Sequence, residues 1–420
     1  MGSNDIRIPD LAHPQLSKIE QQAVAAARPV DMSAAAILAA ASESTGLSDF
    51  GAPDFHERLA VWMSAYDEDK GLNLLGRAGA FHQTLRYAVN RLRIEDLLKR
   101  TPEILKVAID RPIIIAGLPR SGTTHLVNIL ASHPDLRSMP LWETMEPVPR
   151  TEELSFEAKE ANPRYKRCIE MWHILTEVLA HWSAMHEMEP DHIHEEVDLQ
   201  CVDFSSYQPD WLARVPRWRD YYYAHDQIPH YAYAKKVIQA MTWFKGPNRW
   251  IMKSPPNMEN LPAVFATYPD ATVVITHRDP VAVIQSAITM IAYWDRIRRN
   301  DADLPGLADY WIGRIERLLR ACVRDHDRTP PGRVIDVLFH EYMAYQRGTI
   351  ERICDRTDLP ITPEAARRFD SYLDENPRGK HGRVIYDLKG DFGVDVAALR
   401  KRFAFYYERF PVRQEPVLGE

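Results

Sequence analysis

Apolar positions follow two rhythms along this chain. Up to about residue 109 they recur at helical spacing, with Phe55, Leu59, Trp62, Met63 and Tyr66 on one stripe and Leu85, Val89, Leu92 and Leu97 on another. Asp31 or Ser33 can cap a helix that runs through Leu38. Thr101 followed by Pro102 has the form of a cap with proline at the first helical position. Residues 1–109 therefore read as a helical region packed on whatever follows.

From residue 112 the rhythm changes. Ile113, Ile114, Ile115 and Ala116 form a short continuous apolar run, as expected of a central parallel strand covered on both faces. Leu126, Ile129 and Leu130 return to helical spacing, and a second short strand leads to Leu141, Trp142 and Glu143. Further strands are predicted over 250–253, 271–277 and 334–338, with helices over 261–268 and through Val283, Ser286 and Ile291. Residues from about 150 to 245 lack strand patterns and are rich in aromatics, among them Trp172, Trp182, Trp211 and Trp218. They read either as a helical insertion lining a pocket or as a plain packing layer. Strands alternating with helices predict an α/β fold over 110–420, a P-loop-like parallel sheet flanked by helices, joined to the helical N-terminal region.

Composition narrows the class. Of 420 residues, 45% are hydrophobic and 26% charged, which suits a globular enzyme. A net charge of −7 argues against a nucleic-acid partner, whose phosphates call for clustered cations. No apolar run is long enough for a transmembrane segment, and no basic stretch followed by an apolar one marks a secretion signal. Cys168, Cys201, Cys322 and Cys354 stand singly, so a cytoplasmic location is expected. A homo-oligomer is left open.

The chemistry concentrates between strand and helix at residues 117–124. Gly117 and Gly122 bracket a loop at the spacing of a phosphate cradle, and unpaired N–H groups at the helix start face into it. Nucleoside-triphosphate loops need Lys directly after the second glycine. Here Thr123 and Thr124 follow Gly122, and the cation is Arg120 inside the loop. Such a loop suits a shorter 5′ group bearing sulfate or phosphate. Further along, Arg278 at a strand end and Ser286 two turns into the next helix could converge on a second anion at the carboxyl edge of the sheet.

Pro119, Arg120, Ser121, Gly122, Thr123 and Thr124 closely resemble the 5′-phosphosulfate loop of sulfotransferases that use 3′-phosphoadenosine 5′-phosphosulfate (PAPS). Met252-Lys253-Ser254-Pro255, Thr276-His277-Arg278-Asp279-Pro280 and the stretch from Asn376 to Arg383 resemble signatures of the bacterial branch of that family. The motif matches span roughly residue 49 to the C-terminus. The resemblance implies PAPS as co-substrate, a hydroxyl-bearing acceptor (small molecule, lipid or glycoside) and no metal requirement. It implies that Arg120, Ser121, Gly122, Thr123 and Thr124 hold the 5′ side. Arg278 and Ser286 would hold the 3′-phosphate, and Lys380 and Arg383 would close over it. Arg120 and Lys253 would stabilise the transferring group.

One departure concerns the base. Many family members place a His two residues after the strand-end Lys, where this chain has Pro255. Other branches use a Glu at the end of the second strand, and by that analogy Glu143 is expected to accept the acceptor's proton. His181, His186, His192 and His194 cluster with Glu187, Glu189, Glu195 and Glu196, at spacings that match no zinc motif; they read as a polar pocket wall or solvated face, with His186 or His192 as substitute bases. Two other readings remain: a small-molecule kinase with an atypical loop, and a nucleotide- or PAPS-binding protein without turnover.

Overall fold

The computed structural model describes residues 5–156, 158–246, 249–377 and 379–418. Six strands occur among them: β1 (Asp5–Ile6), β2 (Ile113–Gly117), β3 (Ile251–Lys253), β4 (Thr272–His277), β5 (Val334–Leu338) and β6 (Arg383–Val384). Four of them form an all-parallel sheet in the order β3-β2-β4-β5. β1 and β6 pair separately, also in parallel.

The apolar run of β2 divides by side-chain alternation. Ile113 and Ile115 join Leu126, Ile129 and Leu130 of the helix Thr123–Ala131 on one face. Ile114 and Ala116 join Ile284 and Ile288 of the helix Pro280–Arg298 on the other. Each face of a central strand is thus covered by a different helix, which is why the strand carries no polar position. The chain leaves β2 toward β3 on one side and returns to β4 on the other, so the carboxyl end of β2 lies where ligands bind in open α/β sheets.

The N-terminal helices Ala34–Thr45, Phe55–Glu68 and Leu74–Arg100 build a second core around Trp62, Tyr66 and Tyr87. Ser33 caps the first, accepting from Ala36 N–H at 3.1 Å. Phe204, Trp218 and Tyr222, from the segment that also contains the helices Pro163–Val178, Pro216–Ala224 and Ile228–Phe244, complete that core. Asp203 ties the two regions together, receiving Arg58 at 2.9 Å, Arg91 at 2.7 Å and His230 at 2.6 Å. Among the described residues no helix is long and apolar enough to cross a membrane.

The expected second strand before Leu141 does not form. Arg137 and Pro140 make single bridges to Trp250 and Ile193, and Leu141–Met145 is a short helix. Pro140 has no N–H for a ladder, and its fixed φ of −63° suits a helix start.

Candidate active site

The loop from Leu118 to Gly122 closes tightly under the end of β2. Ser121 Oγ donates to Leu118 O at 2.6 Å and lies 2.7 Å from Thr276 Oγ1, bracing the loop against β4. At Gly117 an added Cβ would sit 2.0 Å from Thr276 Oγ1, so glycine is required for this close approach. Gly122 (φ +82°) and Arg120 (φ +65°) both lie in the left-handed region. For an arginine this backbone costs of order 1–3 kcal/mol and persists only where its surroundings fix it.

Those surroundings are the segment from Arg278 to Ser286, expected from the sequence to face a second anion. The Arg120 carbonyl accepts from Arg278 Nη1 at 2.5 Å, and Arg120 Nε donates to Ser286 Oγ at 3.0 Å. Ser286 in turn donates to Tyr386 Oη at 2.9 Å. Arg120 also donates to the carbonyl of Met185. Arg278 stacks on the Phe339 ring at 4.1 Å and forms a two-point ion pair with Glu415. On the other side of the loop, Lys253 at the end of β3 is almost fully buried, donates to Thr124 Oγ1 at 3.2 Å and pairs with Glu195. Arg120, Thr123, Thr124, His186, His194 and Glu195 share the wall of one cavity of about 730 Å³.

A family model of sulfotransferases matches residues 112–363. The chain belongs to the sulfotransferase family. Its fold matches that of sulfotransferase STF1 from Mycobacterium tuberculosis H37Rv with a TM-score of 0.78 at 27% identity, covering 88% of this chain and 97% of that one. Sulfotransferase STF9 from Mycobacterium avium matches with a TM-score of 0.81 at 22% identity, covering 92% and 99%. Among curated proteins none matches.

In this sulfotransferase-family chain, Glu143 lies away from the cavity wall. It sits on the helix Leu141–Met145, buried, with its carboxylate bound by Arg137 and Lys245 Nζ at 3.7 Å. Lys380 donates to Asn376 at 3.2 Å on the exposed surface, and Arg383 pairs through its backbone with Asp5 in the small sheet. Arg378 of the same stretch lies outside the described residues. His186 reaches the cavity, but burial and then the Lys253 ammonium hold its imidazole well below the ordinary range. The same two causes push His192 down to about 3, and its Nε2 lies 3.3 Å from Asn128 Nδ2. Neutral imidazoles with such weak basicity are poor proton acceptors.

Three residues escaped the sequence reading. Glu195 stands at the cavity wall beside the strand-end Lys. Tyr386 meets Ser286, and Glu415 covers Arg278. Only Glu195 carried a signal, its place in the dense His/Glu cluster, and nothing there distinguished it from its acidic neighbours.

Proposed function

We propose that this chain transfers the sulfuryl group of PAPS to the hydroxyl of an acceptor. The observation that carries this reading is the direct contact between the two anion-binding segments, through Arg120 to Ser286 and Arg278 to the Arg120 carbonyl. One nucleotide with phosphates at its 5′ and 3′ positions would use both. The loop's positive backbone end, Thr123 and Thr124 suit the 5′-phosphate. Arg278 and Ser286 suit the 3′-phosphate.

In the step itself the acceptor oxygen attacks sulfur, the bond from sulfur to the 5′-phosphate oxygen breaks, and the electron pair stays on the phosphate. The products are a sulfate ester and adenosine 3′,5′-bisphosphate. Arg120 and Lys253 would stabilise the charge gathering on the sulfuryl and leaving oxygens, a role that preorganised donors fill best in a dry site. The sulfuryl group carries less negative charge than a phosphoryl group, so two side-chain cations suffice without a metal. We assign the base to Glu195 rather than Glu143, because its carboxylate borders both the cavity and Lys253. Its carboxylate oxygens thus stand where an acceptor hydroxyl in the cavity could hand over its proton.

The test is incubation of the purified protein with PAPS, ATP–magnesium and a mixed alcohol extract, followed by mass spectrometry. Sulfate ester and adenosine 3′,5′-bisphosphate are expected in equal amounts. PAPS left intact while ATP is consumed would replace this reading with a kinase.

A further inference from the structure

We infer that the acceptor is an amphiphilic alcohol of the lipid class, a single hydroxyl at the end of a large apolar body. The inference rests on the sulfuryl-transfer reading and narrows its acceptor. The cavity leads away from Arg120, Thr124 and Glu195 into a wall built of Trp182, Trp294, Met145, Met171, Met290 and Ile291. Its volume of about 730 Å³ falls among pockets that bury most of a drug-sized ligand. Trp182 and Trp294 pack against each other at 4.9 Å with their rings tilted by 45°, a large aromatic surface, while the methionines can adapt to an irregular outline.

Several of the charged and polar groups between those walls are already engaged. Asp198 accepts from Arg86 at 3.1 Å and from Tyr87 Oη at 2.7 Å, with His194 at 3.6 Å. Gln83 donates to Tyr87 Oη at 2.8 Å, and Arg167 is held by Glu146 and Glu153, each at 2.7 Å. A sugar would bring many hydroxyls into this space, and those that meet the apolar walls would leave water without a partner, an expensive exchange. A body with one hydroxyl pays no such penalty. That hydroxyl finds Glu195 and Thr124 at the inner end.

The outer end fits the same occupant. Ile174 lines the cavity yet is 58% exposed, so the apolar wall runs out to the surface. An acceptor longer than the cavity can therefore extend past Ile174.

The test measures PAPS-dependent sulfation of four acceptors, cholesterol, geranylgeraniol, 4-nitrophenol and trehalose, by mass spectrometry, with calorimetry of adenosine 3′,5′-bisphosphate on the same protein. Bisphosphate binding with kcat/KM at least a hundredfold higher for cholesterol or geranylgeraniol than for trehalose and 4-nitrophenol is expected. Ile174→Gln and Met290→Gln should raise KM for the apolar alcohol about tenfold or more and leave bisphosphate affinity unchanged. Normal bisphosphate binding with trehalose or 4-nitrophenol as the preferred acceptor would overturn this inference alone. Unaltered KM in both variants would also overturn it, since the wall would not touch the acceptor. Absence of bisphosphate binding would remove the sulfuryl-transfer reading and this inference with it.

Discussion

Glu415 grips Arg278 with both carboxylate oxygens, at 2.6 and 2.7 Å, across 137 positions of sequence. The pair is held from behind. Glu415 N–H donates to Asp279 Oδ2 at 2.7 Å, and Arg400 donates to the Glu415 carbonyl at 2.8 Å. A carboxylate thus rests on the guanidinium proposed for the 3′-phosphate.

A phosphate arriving at Arg278 must share it with that carboxylate or displace it. Glu415→Gln is therefore expected to bind adenosine 3′,5′-bisphosphate about fivefold more tightly, the effect of losing a partly exposed ion pair worth about 1 kcal/mol. Calorimetry at two salt concentrations checks it, and the gain should shrink as salt rises. Weaker binding by the variant would mean that Glu415 holds Arg278 in place and does not compete.

Arg120→Ala and Lys253→Ala should each lower kcat about a hundred- to a thousandfold, the cost of removing one preorganised donor at a developing charge, roughly 3–4 kcal/mol. Arg120 additionally stands in the left-handed region and bridges to Ser286, so its loss should also weaken nucleotide binding. Steady-state rates on an active acceptor decide this, and near-normal turnover in both variants would refute the assignment.

Glu195→Gln should reduce kcat by about a hundredfold or more, the usual size of general-base assistance, with bisphosphate affinity little changed. Glu143→Gln makes the contrasting case. It leaves the buried Arg137 guanidinium without its countercharge and should lower Tm while kcat stays within a few-fold. The reverse outcome, an inactive Glu143→Gln beside an active Glu195→Gln, would return the proton to Glu143.

Glu196 predicts a pH dependence of stability. Burial drives its carboxyl up to about 7, with repulsion from Glu195 adding to the effect and the hydrogen bond from Asn257 opposing it. The folded chain keeps a proton that the unfolded chain releases above its ordinary value of 4.5. Stability should therefore fall as pH rises from about 4.5 to 7 and level off above, by on the order of 3 kcal/mol. Glu196→Gln keeps an acceptor for Asn257 without the titration. Its Tm should exceed that of the wild type at pH 8 and match it near pH 4.5; an equal offset at both values would contradict the argument.

The parallel sheet was legible because strands covered on both faces leave unbroken apolar runs, as at 113–116 and 273–275. The missing strand before Leu141 was not, because a proline at its end reads equally as an edge strand or a helix start. The loop at Arg120 announced itself through its glycines and threonines, whereas its contact with Ser286 joins segments 166 positions apart and no local pattern records it. Glu195 was hidden for a physical reason: its role depends on where Lys253 and the cavity wall meet, which local pattern does not encode. The β1–β6 pairing and the Arg278–Glu415 pair join distant ends of the chain through two residues or one, too little for any periodicity to record.

The account stands on one site for two phosphates on a single nucleotide. Calorimetry of the wild-type protein with adenosine 3′,5′-bisphosphate, AMP and ATP–magnesium tests it most directly. Two charge-assisted contacts at the 3′ position, each about 1.5–3 kcal/mol and not fully additive, predict at least a roughly hundredfold preference for the bisphosphate over AMP. ATP–magnesium should gain little over AMP, since no Lys follows Gly122 to meet a terminal phosphate. Equal affinity for the bisphosphate and AMP, or tighter binding of ATP–magnesium, would contradict the proposed use of PAPS.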